Sequence, residues 1–131
     1  MVKLYKNFNI NNYHKNSIIL IGNFDGLHLG HQKLFKLALS YKKKYNSKIG
    51  VINFDPMPKM YFNNSLKNFK ISSVNQKLEL LKELKVDFII TKKFDKNFSK
   101  IKSIKFIKEI LYKKLNCKFI FVSNNFRFGN K

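Results

Sequence analysis

The stretch Gly22-Asn-Phe-Asp-Gly-Leu-His-Leu-Gly-His31 limits what this chain can become more than any other. It follows the apolar run Ile18-Ile19-Leu20-Ile21 and precedes a helical pattern with Leu34, Phe35, Ala38, Tyr41 and Tyr45 on one face. A short apolar run of this kind reads as a buried parallel strand. Strand, glycine-rich turn and helix together make a site for phosphates. The helix start presents unpaired backbone N–H groups and about half a positive charge. Gly22, Gly26 and Gly30 permit positive φ and a close approach of ligand to backbone. His28 and His31 stand three residues apart at the helix start, so both rings can face one side.

Other readings of this turn fit less well. A Walker loop ends in Gly-Lys-Ser/Thr, which is absent. A dinucleotide fingerprint needs Gly-x-Gly-x-x-Gly directly after the strand, and Gly22-Asn23-Phe24 breaks that spacing. A zinc pair needs a third ligand, and Cys117 and His14 stand in unrelated contexts. Histidines that only cap a helix leave the glycines, Asn23 and Asp25 of the same turn without a purpose.

At 131 residues the chain makes one domain at most, and 44% hydrophobic content with 14 Phe and 6 Tyr supplies a modest core. No apolar run approaches the roughly 18 residues of a membrane span. The start, Met1-Val2-Lys3-Leu4-Tyr5-Lys6, lacks the apolar core of a signal peptide. A single cysteine, Cys117, excludes an intrachain disulfide and suits a reducing cytoplasm. It stands just before an apolar strand, as a small packing residue would. The net charge of +20 invites a nucleic-acid reading. Yet the basic residues are scattered lysines, and Arg127 is the only arginine. A dedicated nucleic-acid surface tends to include arginine for phosphate and guanine contacts.

Along the chain, residues 1–16 read as a polar leader with room for a short edge piece, His14 being exposed there. The helix from about Leu29 ends near Tyr45, with Lys42-Lys43-Lys44 at the negative end of its dipole. Residues 48–54 form a second strand, stopped by Pro56 and Pro58. Ser73 and Gln76 fit a capping box before a helix carried by Val74, Leu78, Leu81 and Leu84. Lys85 ends that helix where glycine is usual, at a cost on the order of 1 kcal/mol if it turns left-handed. Residues 86–90 read as a third strand and residues 94–98 as a loop. Ser103 starts a further helix with Ile104, Ile107, Ile110, Leu111 and Leu115 at helical spacing, and Phe106 widens that apolar face. Residues 119–122 form the fourth strand. The alternation βαβαβαβ predicts an α/β fold with a doubly wound parallel sheet.

The Gly22–His31 stretch resembles the His-x-Gly-His motif of the nucleotidylyltransferase superfamily. Its longer form, with Asn23-Phe24-Asp25-Gly26 before the first histidine and Gln32 after the second, is similar to the FMN adenylyltransferase module of prokaryotic FAD synthetases. Two later segments support the narrower resemblance. Phe54-Asp55-Pro56-Met57-Pro58 resembles the family's Phe-(acidic)-Pro-His-Pro segment, with Met57 in place of histidine and Tyr61 and Phe62 matching the aromatics that follow. Ser123-Asn124-Asn125-Phe126-Arg127-Phe128-Gly129 resembles the Gly-x-(Asp/Asn)-Phe-x-Phe-Gly element, with Ser123 in place of the first glycine. Ile71-Ser72-Ser73 does not match the family's Ser-Ser-Thr…Arg signature.

The resemblance implies a Rossmann-like sheet of strand order 3-2-1-4 and transfer of AMP from ATP to FMN, giving FAD and pyrophosphate. It implies His28, His31 and Asn125 as catalytic residues. Gly22, Asn23, Phe24, Asp25, Gly26 and Gly30 would join the two histidines around ATP. Phe54, Asp55, Pro56 and Phe62 would meet FMN, together with Asn125, Phe126, Arg127 and Phe128. Mg²⁺ would travel on the ATP phosphates with no protein ligand. The excess positive charge would attract both anionic substrates. Partners are then small molecules in the cytoplasm, with no specific nucleic acid and no membrane. The sequence stops at Lys131, before the family's next strand, its Ser-Ser-Thr…Arg signature and its riboflavin kinase domain. Residues 1–131 are therefore expected to be a C-terminally incomplete domain, from a fragment or a decayed gene, that folds marginally and makes little FAD. The rival readings are a residual nucleotide- or flavin-binding module, another small-molecule adenylyl- or cytidylyltransferase, and a basic nucleic-acid-binding protein.

Overall fold

A computed structural model describes residues 2–22, 29–55 and 74–123, with the backbone alone at 29–31, 55 and 74–77. The chain runs β1 (Lys3–Tyr5), a 3₁₀ turn (Asn12–His14), β2 (Ile18–Ile21), α1 (Leu29–Tyr45), β3 (Ile49–Asp55) and α2 (Val74–Glu83). It continues with β4 (Phe88–Lys93), a short α3 (Lys96–Ser99), α4 (Ser103–Lys105) running on as a π-helical stretch (Phe106–Lys114), and β5 (Phe119–Val122). The five strands form one sheet in the order β1-β4-β3-β2-β5. Every pair in it is parallel. The expected order 3-2-1-4 is present as β4-β3-β2-β5, and the leader adds the edge strand β1.

Helices cover both faces of the sheet, because the strands are apolar on both sides. On one face Ile18, Leu20, Ile49, Val51 and Ile89 pack with Phe35 and Ala38 of α1 and Leu81 of α2. Leu34, Tyr41, Leu78 and Leu84 pack against that cluster as their spacing predicts. On the other face Ile19, Ile21, Ile52, Phe54, Phe88 and Ile90 meet Phe106, Leu111 and Leu115, with Phe8 and Ile10 of the leader.

Four expectations change. His14 is buried, with 4% of its surface exposed. Its ring stacks on Phe88 with centroids 4.5 Å apart, and its Nδ1 and the Tyr5 hydroxyl share a hydrogen bond of 2.7 Å. The polar leader hides an aromatic clamp, because Tyr5, Phe8 and Ile10 supply apolar surface between the asparagines and lysines. Residues 94–98 are not a simple loop. Asp95 caps α3 by accepting from the Phe98 N–H at 2.8 Å, and Phe94 and Phe98 are buried. The third strand begins two residues late, at Phe88. Lys85 adopts φ 65°, and the Val86 and Lys85 N–H groups close back on the Leu81 and Lys82 carbonyls, so Val86 belongs to a Schellman motif. Finally, Ile104 and Ile107 are exposed while Phe106, Leu111 and Leu115 are buried. The π-helical winding has a wider turn than an α-helix, so residues four and five apart share the inner face. The Ser73 cap lies outside the described residues.

Candidate nucleotide site

Three strands end side by side at one edge of the sheet. Ile21 pairs with Ile52 of β3 and with Val122 of β5. The pairing extends past the strand end on both sides. Gly22 N–H donates to the Ile52 carbonyl at 3.1 Å, and Ser123 N–H donates to the Ile21 carbonyl at 3.1 Å. The segments 23–28, 56–73 and 124–131 therefore leave from adjacent positions. These are the segments that carry the three sequence motifs. The carboxyl edge of an open parallel sheet is where such folds hold ligands.

α1 starts at this edge with Leu29, Gly30 and His31 in its first turn and no acidic residue there. Its first backbone N–H groups are thus offered to an anion without competition from its own carboxylates. The helix is anchored at its other end. Lys42 Nζ lies 2.8 Å from Asp87 Oδ2 and 2.9 Å from the Lys85 carbonyl, and Asp87 Oδ2 also accepts from the Ile49 N–H at 2.8 Å. This brace fixes α1 to the start of β3 and β4, and so fixes where its N-terminus stands.

The expected site residues divide as follows. Gly22 is buried at the end of β2. Gly30 and His31 lie in the first turn of α1, and Asp55 is the last residue of β3, opposite Lys93. Phe54 is in the core, its ring centroid 5.4 Å from that of Phe98 and 5.8 Å from that of Phe94. Asn23, Phe24, Asp25, Gly26, His28, Pro56, Phe62, Asn125, Phe126, Arg127 and Phe128 lie outside the described residues.

One polar pair near this edge escaped the sequence reading. Asn53 is buried in β3, with 7% of its surface exposed, and its Oδ1 accepts from the Thr91 hydroxyl at 2.8 Å. The signal was an asparagine inside the apolar run Val51-Ile52-Asn53-Phe54. Elsewhere, burial pushes the Cys117 thiol up to about 12, so it stays protonated and inert. No cluster of three or more His, Cys, Asp or Glu side chains suited to a metal occurs among the described residues. Among them, too, no helix is long and apolar enough to cross a membrane.

A doubly wound parallel sheet of this strand order, with a glycine-rich sequence joining β2 to α1, is an α/β fold of the nucleotidylyltransferase type. A model of the FAD synthetase family matches residues 10–131. The chain belongs to that family, and corresponds to the FMN adenylyltransferase module of its bifunctional members. It is 41% identical over 123 residues to a bifunctional riboflavin kinase/FMN adenylyltransferase of Buchnera aphidicola subsp. Schizaphis graminum, covering 94% of this chain and 39% of that one. The Escherichia coli K12 protein of the same description is 34% identical over 112 residues, covering 86% of this chain and 36% of its own. Among solved structures, a Streptococcus pneumoniae protein described as a macrolide-efflux protein superposes with a TM-score of 0.80 at 25% identity, covering 98% of this chain and 51% of that one. The chain thus spans well under half the length of the bifunctional relatives.

Proposed function

We propose that this chain binds ATP and FMN and joins them, giving FAD and pyrophosphate in the cytoplasm. The observation that carries the reading is the pairing of β2 with β5, from whose ends the two most specific motifs depart as neighbours. An FMN phosphate oxygen attacks the α-phosphorus of ATP. The new P–O bond forms as the bond to the β-phosphate bridge breaks, and the electron pair leaves with pyrophosphate. The nucleophile is already anionic, so the protein's contribution is positioning and charge stabilisation.

In this reading His28 and His31 donate hydrogen bonds to the phosphates as negative charge moves to the leaving group. The backbone from Gly22 to Gly26, with Asn23, holds the nucleotide against α1, and Phe24, Asp25 and Gly30 shape the turn. Asn125 reaches the reacting phosphates, while Phe62, Phe126 and Phe128 line the flavin side with Asp55, Pro56 and Arg127. Mg²⁺ arrives on the ATP phosphates, which with water supply the oxygen ligands it prefers.

Calorimetric titration with ATP and with FMN, followed by an assay of FAD formation with Mg²⁺, tests the reading. Binding of both ligands with slow formation of FAD is the expected result. Failure to bind either ligand overturns it. Binding without turnover would instead favour a flavin- and nucleotide-binding module.

A further inference from the structure

Asn53 is an unusual residue for the middle of a doubly covered sheet. It belongs to the same face of β3 as Val51, the face on which α1 packs. Its carboxamide oxygen is taken by Thr91 of β4 at 2.8 Å. Its amide nitrogen has no partner among the described residues, although the side chain is 93% buried (7% exposed). Buried amide donors are rarely left so.

The surroundings say where that amide is turned. β4 and β2 flank β3 on opposite sides. A planar carboxamide whose oxygen is held by β4 turns its nitrogen away from β4. Carrying the β2–β3 register one residue past Ile21↔Ile52 sets Gly22 beside Asn53. Gly22 has no side chain to occupy that space, and the first turn of α1 stands at the same edge and face. A helix start with no acidic residue and a buried donor beside it suit the same occupant, an anionic oxygen.

We propose that Asn53 is a ligand-binding residue of this site, its amide donating to a phosphate oxygen of a nucleoside triphosphate lodged at the start of α1. The assignment of the triphosphate rests on the function proposed above. The buried donor and the glycine beside it do not.

The test is titration of the chain with ATP, inorganic tripolyphosphate and FMN at near-physiological salt. Asn53→Leu combined with Thr91→Val removes both partners of the hydrogen bond for apolar groups of similar shape, a change close to neutral for folding. It should weaken ATP and tripolyphosphate by about tenfold or more, the worth of one bond to a charged group, and leave FMN unchanged. Thr91→Val alone should keep most of the ATP affinity. Wild-type affinity for ATP in the double variant overturns the proposal. So does equal weakening of ATP and FMN, which would mark a packing effect, or an equal loss in Thr91→Val alone. If the double variant does not fold, Asn53→Asp keeps the acceptor for Thr91 and replaces the donor, and the same loss is expected. A chain that binds tripolyphosphate but neither ATP nor FMN sinks the proposed function while Asn53 is still read on tripolyphosphate. A chain that binds none of the three sinks both.

Discussion

Single side chains set the tolerance of this fold. Gly50 lies in β3 opposite Phe88, and a Cβ added there would run into the Phe88 ring. The ring has little freedom to move, because His14 stacks on it and Tyr5 meets it edge-on. Gly50→Ala should therefore destabilise the protein by about 1–3 kcal/mol, the usual cost of overpacking, measured by urea unfolding. His14 makes the same layer sensitive to acid. Burial lowers its pKa, the nearby Asp87 opposes that shift, and Lys48 and Lys3 add to it. The unfolded chain therefore takes up this proton first as the pH falls below about 6.5. Stability contributed by neutral His14 is complete above that pH and is lost as the pH falls through the lower folded value. His14→Phe should flatten the stability profile in this window, and an unchanged profile would remove His14 as its source. For the proposed chemistry, His28→Ala or His31→Ala should raise the barrier by roughly 3–4 kcal/mol with FMN binding little changed, measured as kcat for FAD formation. Near-normal turnover would take the histidines out of the mechanism.

At the scale of elements, hydrophobic period and punctuation were enough to locate β2, α1, β3, α2 and β5. The Lys85 turn was legible too, since the pattern of Leu78, Leu81 and Leu84 has to stop before the next apolar run. Lys85→Gly should stabilise the protein by up to about 1 kcal/mol, because glycine removes the steric cost of φ 65°. A loss of stability would mean that the lysine stem makes up for its backbone. Less legible were features that depend on partners distant in sequence. His14 looked exposed because its apolar neighbours Tyr5 and Phe88 are separated from it, Phe88 by more than seventy positions. Ile104 and Ile107 looked buried because a 3.6-residue period was assumed where the chain winds as a π-helix. Asn53 was passed over because a polar residue in a strand carries meaning only once its cross-strand neighbours are known. The Gly22–His31 motif was readable locally, whereas the side-by-side ending of β2 and β5 depended on strand order.

For the molecule as a whole, the charge of +20 is spread over a small body. Self-repulsion opposes compactness and is screened by salt. Moderate added salt should therefore raise the midpoint of thermal unfolding while weakening nonspecific polyanion binding. A falling midpoint would show that specific ion pairs such as Lys42–Asp87 outweigh repulsion. Pairing of β2 with β5 also has a kinetic side. β2 meets β3 after a single helix, with Ile18 opposite Ile49, but it meets β5 only across most of the chain, with Ile18 opposite Phe119. Closing the longer loop costs more entropy and delays the contact. The edge from which both motif segments leave is thus completed late in folding, by its outer strand β5. Nucleotide that bridges the two segments would work as a latch on that strand. Amide exchange in residues 119–122 should then slow when ATP is added, while exchange in β4 stays as it was.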